Sequence, residues 1–162
     1  MVAPSPRTFI SYIDRTREYY AALGYPKPYV WAHYEDAPFA RLAKPLSETR
    51  VGLITTTSPP RRREDKAPKA VWSGETATPP DALYTDDLAW DRDNTHTRDV
   101  ESFLPIRSLQ RLVGAGRIGS LAARFHGVPT DYSQRRTVEA DAPQILSRCL
   151  EDGVEVALLV PL

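Results

Sequence analysis

Two short apolar runs stand out from a chain that charge or proline otherwise breaks every few positions. The first lies in Arg50–Pro60, where Val51, Leu53 and Ile54 precede Thr55, Thr56, Thr57 and Ser58. The second is Val154–Leu162, Val-Glu-Val-Ala-Leu-Leu-Val-Pro-Leu. A run apolar on both faces and ended by turn residues predicts a strand buried in a parallel sheet. Pro59 and Pro60 forbid further pairing of the first strand. Elsewhere the period is helical. Thr8–Leu23 sets Phe9, Tyr12, Ile13 and Tyr20 near one face and stops at Gly24. Pro105–Val113 presents Ile106, Leu109, Leu112 and Val113, with Pro105 suited to the first turn. A third helix starts at about Thr137 or Asp141 and runs to Asp152 before Gly153, burying Ile145, Leu146, Cys149 and Leu150. The fold class expected is α/β: a partial parallel, Rossmann-like sheet with helices on its faces, breaking off after a strand.

The remaining segments read as connections. Tyr25–Leu46 is broken by four prolines and carries Tyr29, Trp31, His33, Tyr34 and Phe39, which suits a lid on the core better than a ligand cage. Arg61–Lys66 mixes a basic triplet with Glu64 and Asp65 and reads as a solvated loop rather than a phosphate grip. Ala70–Trp72 and Leu83–Tyr84 suit short edge strands around a proline-rich turn, Thr76–Asp81.

Three site motifs fail on inspection. Asp91-x-Asp93-x-Thr95 lacks the glycine of a calcium loop, since His96 stands there, and Ser102 replaces the closing glutamate. Gly114-Ala-Gly116-Arg-Ile-Gly119 matches the dinucleotide fingerprint but follows a helix instead of a strand, so it reads as a helix end. His33, His96 and His126 have no metal-ligand spacing, and no metal or other cofactor is expected.

Composition changes this picture little. The 162 residues suit a single domain, with 1–49 an N-terminal helix and aromatic-rich loop and 50–162 the α/β core. A formal net charge of zero gives no electrostatic case for a nucleic-acid or membrane partner. The single cysteine, Cys149, excludes an intrachain disulfide and fits a reducing compartment, so a cytoplasmic location is expected. Cys149 lies in an apolar stripe that suppresses its thiolate and so suits a core position rather than a nucleophile. Oligomeric state is not legible, and a homo-oligomer is compatible.

Candidate chemistry follows from topology. Parallel sheets bind ligands beyond the carboxyl ends of their strands. Thr55, Thr56, Thr57 and Ser58 stand there as substrate-binding candidates, or as simple caps of the turn. Arg135 and Arg136, beside Ser133, Gln134 and Thr137, suit a carboxylate clamp or an ordinary polar approach to a helix; residue types alone admit both.

Several motifs in order resemble a known family. They are Arg15-Thr-Arg17 with Tyr20 and Gly24-Tyr25, Trp31-Ala-His33, Pro45-Leu-Ser-Glu48, and Leu53-Ile-Thr-Thr-Thr57. Asp99-Val-Glu-Ser-Phe-Leu-Pro105, Gly116-Arg-Ile-Gly119-Ser-Leu and Glu151-Asp-Gly-Val-Glu-Val-Ala-Leu-Leu-Val-Pro161 continue the series. Together they resemble the selenoprotein B family of glycine, sarcosine, betaine and D-proline reductases. The resemblance implies an oxidoreductase that cleaves an amino-acid-type substrate reductively, alongside other reductase-complex subunits. It implies that the last strand leads into a selenocysteine, or a cysteine in its place. That residue is expected immediately after Leu162, so the catalytic residue is absent and this chain alone is expected to be inactive. Truncation at a selenocysteine codon is one explanation; truncation of a cysteine-type member or a deliberate end is another. The competing reading is a non-catalytic α/β binding or assembly subunit.

Overall fold

A computed structural model describes residues 11–27, 30, 32–59, 70–86, 92–130 and 133–162. The chain divides into two units, Met1–Phe39 and Ala40–Leu162. The first holds helix α1 (Tyr12–Ala22), shorter than expected from the sequence; positions 8–10 lie outside the described residues. The Ser11 hydroxyl caps it by accepting from the Asp14 N–H at 3.3 Å. None of its residues is buried. In the loop that follows, Tyr25, Tyr34 and Phe39 are exposed, while Tyr29 and Trp31 lie outside the described residues.

The second unit is built on strand β1 (Arg50–Thr55). Strands β2 (Trp72–Glu75), β3 (Ser120–Leu121), β4 (Arg124–Gly127) and β5 (Val156–Val160) complete the sheet. β5 lies parallel to β1 over its whole length, from Val51 opposite Val156 to Thr55 opposite Val160. The other edge of β1 is taken in succession by β3, beside Arg50 and Val51, and β4, beside Ile54 and Thr55, both parallel. β2 adds antiparallel to β4, so the sheet is mixed rather than wholly parallel. The expected edge strand at Ala70–Trp72 is shifted to Trp72–Glu75, and Tyr84 forms only an isolated bridge to Ser58.

Alternation along β1 divides the core. Val51 and Leu53 face Phe125 and the segment from Val100 to Leu109, where helix α2 (Ile106–Gly114) begins. Ile54 faces the other way, toward Ile145 and Cys149 of helix α4 (Ala142–Glu151). α4 is preceded by a helical turn α3 (Gln134–Arg136) and a π-helical turn (Thr137–Asp141). Helices therefore cover both sheet faces, and β4, α4 and β5 form a crossover unit with β1 between its two strands.

Both long helices of this unit end as the sequence implies. After α2, Gly116 takes φ 67°, with Gly116 N donating to Val113 O at 2.9 Å and Arg117 N to Leu112 O at 2.9 Å. After α4, Gly153 takes φ 65°, with Gly153 N reaching Leu150 O at 3.0 Å and Val154 N reaching Cys149 O at 2.8 Å. This is the Schellman pattern, and glycine is favoured because a side chain is strained at positive φ. It disposes of the dinucleotide motif: Gly114–Gly119 closes a helix.

Two burial expectations are overturned. The β5 strand is not buried; Ala157, Leu158 and Leu159 are exposed, since β5 is bonded on one edge only among the described strands. Leu146 and Leu150 of α4 are 59% and 67% exposed, because the covered face of the helix is narrower than the apolar one. Leu112 of α2 is exposed for the same reason.

Candidate carboxyl-edge site

The parallel alignment of β1, β4 and β5 brings their carboxyl ends to one edge. Each sequence-selected threonine has a distinct place there. Thr55 ends β1 and is buried, and its Oγ1 has no hydrogen-bond partner. Thr56 Oγ1 accepts from the Leu162 N–H at 2.9 Å, which ties the segment after β1 to the segment after β5. Thr57 is fully buried; its carbonyl accepts from Trp72 Nε1 at 2.8 Å, and its Oγ1 is also unpartnered. Ser58 exchanges backbone bonds with Tyr84, Ser58 N to Tyr84 O at 3.3 Å and Tyr84 N to Ser58 O at 3.2 Å. From the segment after β4, Thr130 Oγ1 donates to Thr56 O at 3.2 Å. The turn is thus held on three sides.

The two arginines behave differently. Arg135 is exposed and pairs with Glu139 at 3.9 Å, and Arg136 Nε lies 3.6 Å from Asp141 Oδ1. Both face carboxylates of their own helical segment. Arg61–Lys66 and Asp131–Tyr132 lie outside the described residues.

One residue escaped the sequence reading. Asp141 is buried, and its Oδ2 has no partner. It stands four before Ile145 and eight before Cys149, so it begins the inner stripe of α4. That spacing is the signal the sequence offers, although Asp141 stands there as one of two possible helix starts.

Beside this edge runs a groove of 570 Å³ between α4 and β5, lined by Ile54, Val128, Ile145, Leu146, Leu150 and Leu159 among others. Cys149 lines it too. Burial pushes the Cys149 thiol above its ordinary pKa, and Asp152 adds to the effect, as suits a core thiol. Among the described residues no group of three or more His, Cys, Asp or Glu side chains is placed to hold a metal ion. No helix among them is long and apolar enough to cross a membrane. No protein-family model matches the chain, and neither a curated protein nor a solved structure does.

Proposed function

We propose that this chain is the amino-terminal α/β part of a selenoprotein B-type oxidoreductase that cleaves an amino-acid-type substrate reductively. In this reading β5 leads directly into a selenocysteine or cysteine. The observation that carries it is the join of β1 and β5 at their carboxyl ends beside an apolar groove with exposed leucines. A chalcogen leaving β5 would sit beside the Thr55–Ser58 turn. A helix starting there would direct its positive end at that atom, lowering its pKa and strengthening it as a nucleophile. The substrate's anionic group would meet the Thr56 and Ser58 hydroxyls, since Thr57 is buried. The exposed leucines support further packing on this flank, since each forgoes about 2 kcal/mol of burial while it faces water.

The same flank favours a second reading, a non-catalytic binding or assembly subunit that buries the groove against another chain. Expression of the gene with its downstream sequence in a selenium-inserting host separates the two. Stoichiometric selenium, or a cysteine following Leu162 and a second shortly after, supports the reductase. Neither residue in frame supports the subunit.

A further inference from the structure

A second polar cluster lies under the opposite end of α4, and it contains a nucleophile. On the α4 face of the sheet, Ser73 of β2 and His126 of β4 stand side by side in register. Ser73 Oγ is 2.9 Å from His126 Nδ1. Arg148 of α4 donates from Nη1 to the same Oγ at 2.8 Å. A guanidinium cannot accept a hydrogen bond, so Ser73 Oγ is the acceptor from Arg148. The serine keeps its own proton to direct at Nδ1, and in the tautomer that accepts it the imidazole proton is on Nε2. That atom is buried without a hydrogen-bond partner and faces Asp152 Oδ2 at 3.6 Å. Arg124 fixes Asp152 in turn, with Nε 3.0 Å from both carboxylate oxygens and Nη2 2.9 Å from Oδ1.

We propose that Ser73, His126 and Asp152 form a separate nucleophilic site that is acylated by small activated esters. The arrangement supplies the three parts such a site needs: a hydroxyl within reach of a base, an acid facing the base's other nitrogen, and a cation where negative charge develops. Ser73 is half-buried and lies on β2, which pairs only with β4 among the described strands. Burial holds His126 below its ordinary pKa, which keeps the ring in the neutral form a base requires.

The step is balanced within the cluster. Ser73 Oγ bonds to the ester carbonyl carbon while its proton passes to His126 Nδ1. The imidazolium keeps Nε2–H toward Asp152, and the oxyanion forms beside Arg148. Collapse breaks the carbon–alkoxide bond, and the leaving alcohol takes the proton from Nδ1. Water then repeats the sequence on the acyl-serine, releasing the acid. A purely structural role, pinning α4 to the sheet, uses the same contacts but gives Ser73 no reason to react.

Treating the full chain with an alkyl fluorophosphonate, followed by peptide mass spectrometry, separates these roles. Phosphonylation should fall on Ser73, vanish in Ser73→Ala and slow by about 100-fold in His126→Gln. Asp152→Asn should slow it and move its pH profile. Wild-type protein that labels no more than Ser73→Ala, or that labels serines indiscriminately, overturns the proposal even if the other variants fail to fold. The readout is independent of any residue beyond Leu162, so this site and the reductase reading stand or fall separately.

Discussion

The Thr56 hydroxyl and the Leu162 backbone nitrogen are 2.9 Å apart, closing a contact between residues 106 positions apart in sequence. The bond joins the ends of the two most apolar strands and sets the geometry of the carboxyl edge. Thr56→Ala removes the acceptor at an exposed position, so the expected loss is about 0.5–1 kcal/mol in urea unfolding. Thr56→Ser should recover most of it. Equal stability of all three proteins would mean that the contact does not hold the strand ends together.

Gly127 and Trp72 fix the other side of the same turn. A Cβ at position 127 would overlap Trp72 Nε1, the group that donates to the Thr57 carbonyl. Gly127→Ala should therefore shift the indole, break that bond and cost about 1–3 kcal/mol. Thermal unfolding and tryptophan emission measure both effects; an unchanged spectrum would contradict the placement of Trp72.

Glu101 stabilises the start of α2. Its carboxylate accepts from the Arg107 N–H at 3.0 Å, the Ser108 N–H at 2.9 Å and the Ser108 hydroxyl at 2.9 Å. Burial alone would raise its pKa, but the backbone bonds from Arg107 and Ser108, with the Ser108 hydroxyl and the Arg107 charge, together hold it below the usual carboxylate range. The folded protein therefore binds this proton less readily than the unfolded chain. The stabilisation is complete above the unfolded value of about 4.3 and fades as pH falls through the lower folded value. Glu101→Gln should cost about 1 kcal/mol at neutral pH and flatten the acid limb of the stability profile. An acid limb identical to wild type would remove Glu101 from this role.

Cys149 should resist reagents in the folded state. Its thiol is buried, and burial raises its pKa. Iodoacetamide at neutral pH is expected to modify it at least about tenfold more slowly than after denaturation, because the thiolate is the reacting species. Equal rates would restore the cysteine as a candidate nucleophile.

What the sequence disclosed, and what it hid, follows from the range of the interactions. β1, α2, α4 and their ends were legible because apolar spacing and glycine caps are local signals: Val51, Leu53 and Ile54 for the strand, Gly116 and Gly153 for the helix ends. β3 and β4 were not. Arg124-Phe-His-Gly127 is half polar, and it becomes a strand by pairing with Ile54 and Thr55 of β1, a tertiary relation. Burial at β5 was misjudged for a related reason, since an apolar run states what could be covered and not what does the covering. Thr56 was found from its place after a strand, whereas the Ser73–His126 pair comes from β2–β4 registry across 53 positions, which no local pattern reveals.

The most direct measurement is alkylation of the product of the whole reading frame. The gene, with its downstream sequence, is expressed with selenium and treated with iodoacetamide at mildly acid pH, and the peptide spanning β5 is sequenced by mass spectrometry. The expected result is a carbamidomethylated selenocysteine or reactive cysteine immediately after Leu162, with Cys149 unmodified. An unreactive residue at that position, with no selenium in the protein, would contradict the reductase reading.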